Sequence, residues 1–232
     1  MAADLALTTA ALRIAALTIA ALTNPGARPP RTTPVNTRRT LTAVAVGVPP
    51  LILAAVGLTH PAQLNADTAA YWRDLHIGIL VVFPLLGFAP WLVVRGRSRW
   101  LGWAAGILGF VYAAFYSALD ILAGIGSGGL EHSGHHDAIG VTFALGDGIG
   151  LVGSVAYLAA CLLVGAVAVR ASGLRALPAA LLVAVGSALF LAEHIFFPWG
   201  VIGQIALAVG WVGLVFALRG VARVRDIDGG SR

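Results

Sequence analysis

The sequence predicts an all-α transmembrane bundle of six helices with both termini in the cytoplasm. Of its 232 residues, 59% are hydrophobic and 11% are charged, whereas soluble domains carry about 25% charged residues. The mean hydropathy is +0.89, and the apolar residues form six runs that are long enough to cross a bilayer. Arginines gather in alternate connections between these runs, which is the pattern of the positive-inside rule.

The first 40 residues precede the bundle. Residues 5–22 are apolar but contain Arg13, which predicts a weak helix: a signal peptide, an interfacial helix or the product of a misplaced start codon. Residues 23–40 are rich in Pro, Thr and Arg and predict a disordered basic linker. We therefore predict a transmembrane domain over 41–220 and a cytoplasmic tail over 221–232.

The bundle consists of six predicted spans, near 41–59, 76–94, 100–124, 140–169, 177–197 and 199–218. Kinks are expected at Pro49 and Pro50 in the first span and at Pro84 and Pro90 in the second, because proline removes a backbone hydrogen bond. The short connection at 198–200 predicts an antiparallel hairpin of spans five and six.

Glycines predict where the spans approach one another. Gly146 and Gly150 lie four residues apart in span four, and Gly102, Gly106 and Gly109 are spaced similarly in span three. Small residues at this spacing let helix backbones come close. Spans three and four are therefore expected to pack tightly.

Orientation follows from the arginines. Those that fall on one side of six spans are Arg28, Arg31, Arg38, Arg39, Arg95, Arg97, Arg99, Arg170, Arg175, Arg219, Arg223 and Arg225. Among the loops, only Arg73 falls on the other side. This distribution predicts a bacterial plasma membrane protein whose loops 60–75 and 125–139 face the extracytoplasmic side.

All six histidines and the three acidic residues within the spans lie near the predicted extracytoplasmic end of the bundle. The candidate metal ligands are His60, His76, Asp120, His132, His135, His136, Asp147 and His194. Imidazole and carboxylate groups suit zinc or copper. We expect a cavity ringed by His76, Asp120, Asp147 and His194, with His60 and the loop 131–137 as its lid. A solvated loop and protonated or wetted acids would explain the same residues without a metal.

Three functions remain open at this point. The leading hypothesis is a divalent transition metal used for sensing, handling or hydrolysis, with Asp120 or Glu193 as the base that acts on water. The second is a haem b electron-transfer protein with two of the histidines as axial ligands. The third is a proton-coupled transporter or a scaffold subunit without chemistry. The bilayer is the expected partner, with a homo-oligomer or a membrane complex as further options.

Several activities are excluded or unsupported. The chain has no lysine, which excludes Schiff-base chemistry. Its single cysteine, Cys161, cannot form an intrachain disulfide. The letters of a dinucleotide fingerprint at 148–153 lie inside an apolar span with no preceding strand, so they do not indicate nucleotide binding. The net charge of +5 comes from loop arginines and does not indicate nucleic-acid binding.

Three segments carry a resemblance to known families. These are Trp72 to Pro90, the stretch 115–120 and the stretch 194–198. In them the chain resembles a family of small polytopic integral membrane proteins of high-GC Gram-positive bacteria, and this resemblance implies no activity. Fainter is a likeness to membrane zinc hydrolases of the ceramidase and adiponectin-receptor type, which use helix-borne histidines and an aspartate; Asp120 and His76 match that pattern.

Overall fold

A computed structural model describes residues 34–218, which are mostly helical and contain no strand. The helices are α1 Pro34–Gly57, α2 Ala69–Ile79, α3 Phe83–Val94, α4 Arg99–Leu119, α5 Ser127–His132, α6 Ile139–Ser172, α7 Leu177–Glu193 and α8 Trp199–Ala217. A π-helix, Asp120–Gly126, joins α4 to α5, and 3₁₀ turns occupy His136–Ala138 and Gly173–Arg175. The predicted helix at 5–22, the linker before residue 34 and the tail at 221–232 lie outside the described residues.

The predicted all-α, membrane-type fold is confirmed. Five apolar helical segments are long enough to cross a membrane: Thr37–Gly57, Ala69–Val94, Arg99–His132, His136–Arg175 and Trp199–Ala217. The 17-residue helix α7 is a shorter apolar helix. From Arg39 onward, the described helices form one compact unit.

Prolines lie at the start of the first helix and at the break in the second span. Helix α1 begins at Pro34, so residues 34–40 are helical and not part of a disordered linker as predicted. Proline is favoured in the first turn of a helix because the N–H it lacks would have no partner there. The second span is divided, since α2 ends at Ile79 and α3 begins at Phe83 with Pro84 in its first turn. The interruption predicted at Pro84 therefore takes the form of a break between two helices.

Glycine contacts bring α4 and α6 together as predicted. A Cβ on Gly150 would lie 2.0 Å from Leu119 Cδ1, and one on Gly146 would lie 3.0 Å from Ala123 Cβ. Such approaches are possible only without side chains. The prediction is wrong for the glycines of span three. Gly109 and Gly106 face α3, where an added Cβ would lie 2.1 Å from the Gly87 carbonyl oxygen and 3.5 Å from Trp91, and a Cβ on Gly102 would meet no atom within 4 Å. Beyond this pair, α3 packs on α4, α6 on α7 and α7 on α8.

Three irregular segments meet at one end of the bundle, where α4, the π-helix and α7 end. They are the loop 58–68 after α1, the π-helix and the turn 194–198 between α7 and α8. The third predicted span ended near 124, but its helical path continues through the π-helix and α5 to His132. A π-helix widens the turn by one residue and occurs often at functional sites. These irregular segments hold the polar side chains of the candidate site.

Candidate metal centre

Three histidines from distant parts of the chain converge at this end of the bundle. His60 lies in the loop after α1, His76 on α2 and His194 directly after α7. One ring nitrogen from each lies within 4.8 Å of those of the other two. His60 and His76 are buried, with 8% and 3% of their surfaces exposed. We call this group the three-histidine cluster.

Hydrogen bonds fix the tautomers of His60 and His76. The Nδ1–H of His60 donates to the Pro61 carbonyl at 2.8 Å, and that of His76 donates to the Trp72 carbonyl at 2.7 Å. A carbonyl oxygen only accepts, so Nδ1 must carry the proton and each neutral ring has its lone pair on Nε2. Burial lowers the pKa of His60, which favours the neutral ring. The site therefore presents two imidazole lone pairs.

These two lone pairs lie close together. The Nε2 atoms of His60 and His76 are 3.5 Å apart. Two acceptors cannot hydrogen-bond to each other, and their mutual repulsion in a buried site has to be offset. A cation or a shared proton between the two nitrogens would offset it. The arrangement could therefore hold a cation or a shared proton.

The third histidine lies in a strained turn. The Phe196 N–H donates to the Glu193 carbonyl at 3.0 Å, and His194 has φ 52° and ψ −121°. These are the angles of the second residue of a type II′ turn, a position that normally requires glycine. A non-glycine residue there costs on the order of 1–3 kcal/mol, and such strain is concentrated at functional sites. This turn directs the imidazole of His194 into the cluster, where it stacks with the ring of His76 at a centroid distance of 6.5 Å.

Tyr116 holds His194 from the α4 side. The Nδ1 atom of His194 is hydrogen-bonded to the Tyr116 hydroxyl group. When Nδ1–H donates to the phenolic oxygen, Nε2 of His194 carries the lone pair, as in the other two rings. Burial, together with the nearby His60 and His76, lowers the pKa of His194 well below its usual range. All three rings thus have Nδ1 held by a partner, which leaves Nε2 for a ligand.

Close packing fixes the ring of His76. A Cβ added to Gly124 in the π-helix would lie 2.3 Å from Cδ2 of His76, so the ring rests directly on the glycine backbone. Trp72 covers the cluster from another side, with its ring centroid 4.7 Å from that of His60. Its indole N–H donates to the Ala123 carbonyl at 3.2 Å. These contacts leave the imidazole little freedom to rotate.

A buried carboxylate lies beside the cluster. Asp120, the first residue of the π-helix, is fully buried, and neither of its carboxylate oxygens has a hydrogen-bond partner. Its Oδ1 is 4.0 Å from Nε2 of His76. An uncompensated buried carboxylate is strongly unfavourable. Asp120 therefore places an unpartnered carboxyl group on the side of the cluster formed by His76.

The cluster borders a cavity of about 330 Å³. Its walls include all three histidines together with Tyr116, Phe143, Asp147 and Glu193. The side chains of Asp147 and Glu193 are exposed, and the remaining wall is largely apolar. Two corrections to the predicted site follow. Asp120 does not line the cavity, and His60 is a member of the cluster rather than part of a lid.

Comparison of the chain with protein-family models, with curated proteins and with solved structures finds no match. The chain has a helical, apolar fold of membrane type and a histidine cluster that could hold a metal ion.

The loop histidines are not brought into the cluster. His132, His135 and His136 are exposed, and His136 Nδ1 is 2.8 Å from Oε2 of Glu131. Among the described residues 34–218, the only group of three or more potential metal ligands is formed by His60, His76 and His194. Sequence proximity within 131–137 did not produce a site, because the end of α5 and the 3₁₀ turn point these rings into solvent.

Sequence reasoning missed the residues that support the cluster. Trp72 is buried beside His60 and His76, and its position near the end of an apolar run is equally typical of an interfacial tryptophan. Tyr116 contacts His194, which is 78 residues away in the sequence, so no local pattern links the two. No sequence signal pointed to Gly124, because its role depends on the position of the His76 ring across the helix interface.

Proposed function

We propose that this chain is an integral membrane protein that binds a divalent transition metal, zinc foremost, through His60, His76 and His194. The observation that carries the proposal is the pair of Nε2 lone pairs that face each other across 3.5 Å. Both rings have their Nδ1–H bonded to a backbone carbonyl, which is the usual outer support of a metal-binding histidine.

The distances suit a small ion. Zinc–nitrogen bonds of about 2.0–2.1 Å in tetrahedral geometry separate two ligand nitrogens by about 3.3 Å. The 3.5 Å between His60 and His76 is close to this value. With all three ligand atoms within 4.8 Å, closure around an ion requires movement of about 1 Å or less. The spacing is less suited to haem, whose axial nitrogens lie about 4 Å apart on opposite faces of a wide macrocycle.

Asp120 supports the same proposal. A divalent cation on the cluster would compensate its buried charge, and Oδ1 needs only a small shift to approach an ion bound by His76. Charged groups within membrane spans are rare, and they are usually paired or functional. Asp120 is therefore assigned as the counter-charge of the site.

The open side of the cluster favours hydrolytic chemistry. Three histidine nitrogens with a free position are typical of catalytic zinc sites, where the metal supplies an activated water and polarises a carbonyl or phosphoryl oxygen. The cavity provides room for a substrate on that side. Glu193 lies on the cavity wall, whereas Asp120 is outside the cavity. We therefore assign Glu193 as the general base.

The membrane orientation belongs to the same proposal. The arginine-rich connections 95–99 and 170–175 follow the ends of α3 and α6, at the opposite end of the bundle from the cluster. The positive-inside rule assigns that end to the cytoplasm, so the cluster would face the extracytoplasmic side of the plasma membrane.

Metal analysis of the full-length protein in detergent tests the proposal. We expect about one equivalent of zinc, or stoichiometric uptake on addition, in the wild-type protein. Single variants His60→Ala, His76→Ala and His194→Ala should each lose most of it. A triple variant in which His132, His135 and His136 are all alanine is the matched control and should retain it. Retention by the cluster variants, or loss only in the loop variant, would refute the assignment.

A further inference from the structure

A second, larger cavity lies between α3 and α4, at the opposite end of the bundle from the three-histidine cluster. Its volume is about 930 Å³, at the upper end of the range for small-molecule sites. Aromatic and aliphatic side chains form most of its walls: Phe88, Trp91, Trp103, Ile107 and Phe110. Arg95, Arg97 and Arg99, from the connection between the helices, line its end. We call this cavity the α3–α4 cleft.

The backbone itself creates the cleft. At Gly87 and Gly109 the two helices touch, since a Cβ on Gly87 would lie 2.4 Å from the Gly109 carbonyl oxygen. Nearer the connection, a Cβ on Gly106 would meet only Trp91, at 3.5 Å, and one on Gly102 would meet nothing within 4 Å. The helices therefore cross closely at one point and separate toward the arginines.

The charge of the cleft is unbalanced. Among residues 34–218, no carboxylate forms an ion pair with Arg95, Arg97 or Arg99. Arg95 lies over the indole ring of Trp91, with its guanidinium carbon 5.1 Å from the ring centroid. This contact orients the guanidinium at the mouth of the cleft and leaves its hydrogen-bond donors available. An anion can therefore be bound here without displacing an internal partner.

We propose that the α3–α4 cleft binds an anionic phospholipid. The phosphate group lies on the three guanidinium groups, and an acyl chain follows the apolar walls toward the Gly87–Gly109 crossing. The walls are open to the bilayer, as Phe110 and Trp103 are 73% and 61% exposed. Basic pockets between membrane helices recognise anionic head groups by this combination of charge and apolar surface. A zwitterionic lipid would bring its own cation against the arginines, so net charge provides the selectivity.

Native mass spectrometry of the full-length protein tests this. The detergent-purified protein is offered phosphatidylglycerol or phosphatidylcholine with identical acyl chains. The wild type should retain the anionic lipid roughly tenfold more strongly or better. A variant combining Arg95→Gln, Arg97→Gln and Arg99→Gln should lose this preference.

A second variant separates the cleft from surface charge. Gly102→Leu keeps every arginine but fills the open space, and it should reduce retention of the anionic lipid by about tenfold. Arg170→Gln combined with Arg175→Gln removes two charges from another connection at the same end and should leave the preference intact.

Either of two results would overturn the proposal. One is equal retention of both lipids by the wild type, as expected if another part of the chain or a second copy covers the cleft. The other is a preference that survives Gly102→Leu or is lost equally in the Arg170/Arg175 variant, which would indicate general surface charge. Zinc content should be unchanged in all these variants, so the proposed lipid site and the proposed metal site are tested independently of each other.

Discussion

Replacement of Gly124 by alanine is the sharpest perturbation of the metal centre, because it leaves every proposed ligand in place. The new methyl group would lie 2.3 Å from Cδ2, 2.4 Å from Cγ and 2.8 Å from Cβ of His76. Ordinary carbon contacts begin near 3.4 Å. Both the root and the ring of the side chain are involved, so a rotamer change cannot relieve the clash. The imidazole has to withdraw by about 1 Å.

A shift of this size is large for a metal ligand, since coordination distances vary by only about 0.2 Å. Loss of supporting contacts around a ligating histidine typically weakens metal binding by about 10–100-fold. We therefore expect the zinc affinity of Gly124→Ala to fall by that factor, or about 1.4–2.8 kcal/mol. Competition with a chromophoric chelator in detergent measures the affinity directly.

Gly129→Ala is the matched control. Gly129 lies in α5, five residues farther along, and an added Cβ would meet nothing within 4 Å. Its zinc affinity should equal that of the wild type, and alanine in a helix should raise stability slightly. A folded Gly124→Ala protein with wild-type affinity, or an equal loss in both variants, would show that the His76–Gly124 contact does not position the metal.

Two further variants test Asp120 and the turn at His194. Asp120→Asn should bind zinc at least about tenfold more weakly. Its metal-free form should resist thermal unfolding about as well as the wild type, because asparagine has nearly the same shape as a buried carboxyl group that has no hydrogen-bond partner. A marked loss of metal-free stability would contradict this. His194→Gly and His194→Ala should both lose the metal, but the glycine variant should be more stable by about 1 kcal/mol because only glycine fits φ 52° without strain. Equal stability in chemical unfolding would argue against strain in the turn.

Composition and prolines predicted much of the fold. Apolar run lengths located the spans, and Pro84 correctly marked an interruption in the second one. The start of α1 at Pro34 was not predictable, because the composition of 23–40 is typical of linkers. Nor was the π-helix at 120–126, since an extra residue per turn is set by packing against α2 and α6 and has no sequence signature.

The candidate site was predictable in residue type but not in membership. His60, His76 and His194 stood out as polar groups at the ends of apolar runs, and the structure brings these three together. The three loop histidines looked equally suitable because they are near each other in sequence. Which imidazoles converge depends on helix rotation and on the turn after α7, and neither can be derived from hydropathy.

The order in which the chain is made matters for the cluster. His60 follows the first described span and His76 lies in the second, whereas His194 follows the fifth apolar helix and is synthesised much later. Until then the two early imidazoles face each other with no third ligand. The third ligand can join the other two only after the hairpin of α7 and α8 has packed onto the bundle. Metal binding at full affinity would therefore occur only in the completely folded protein.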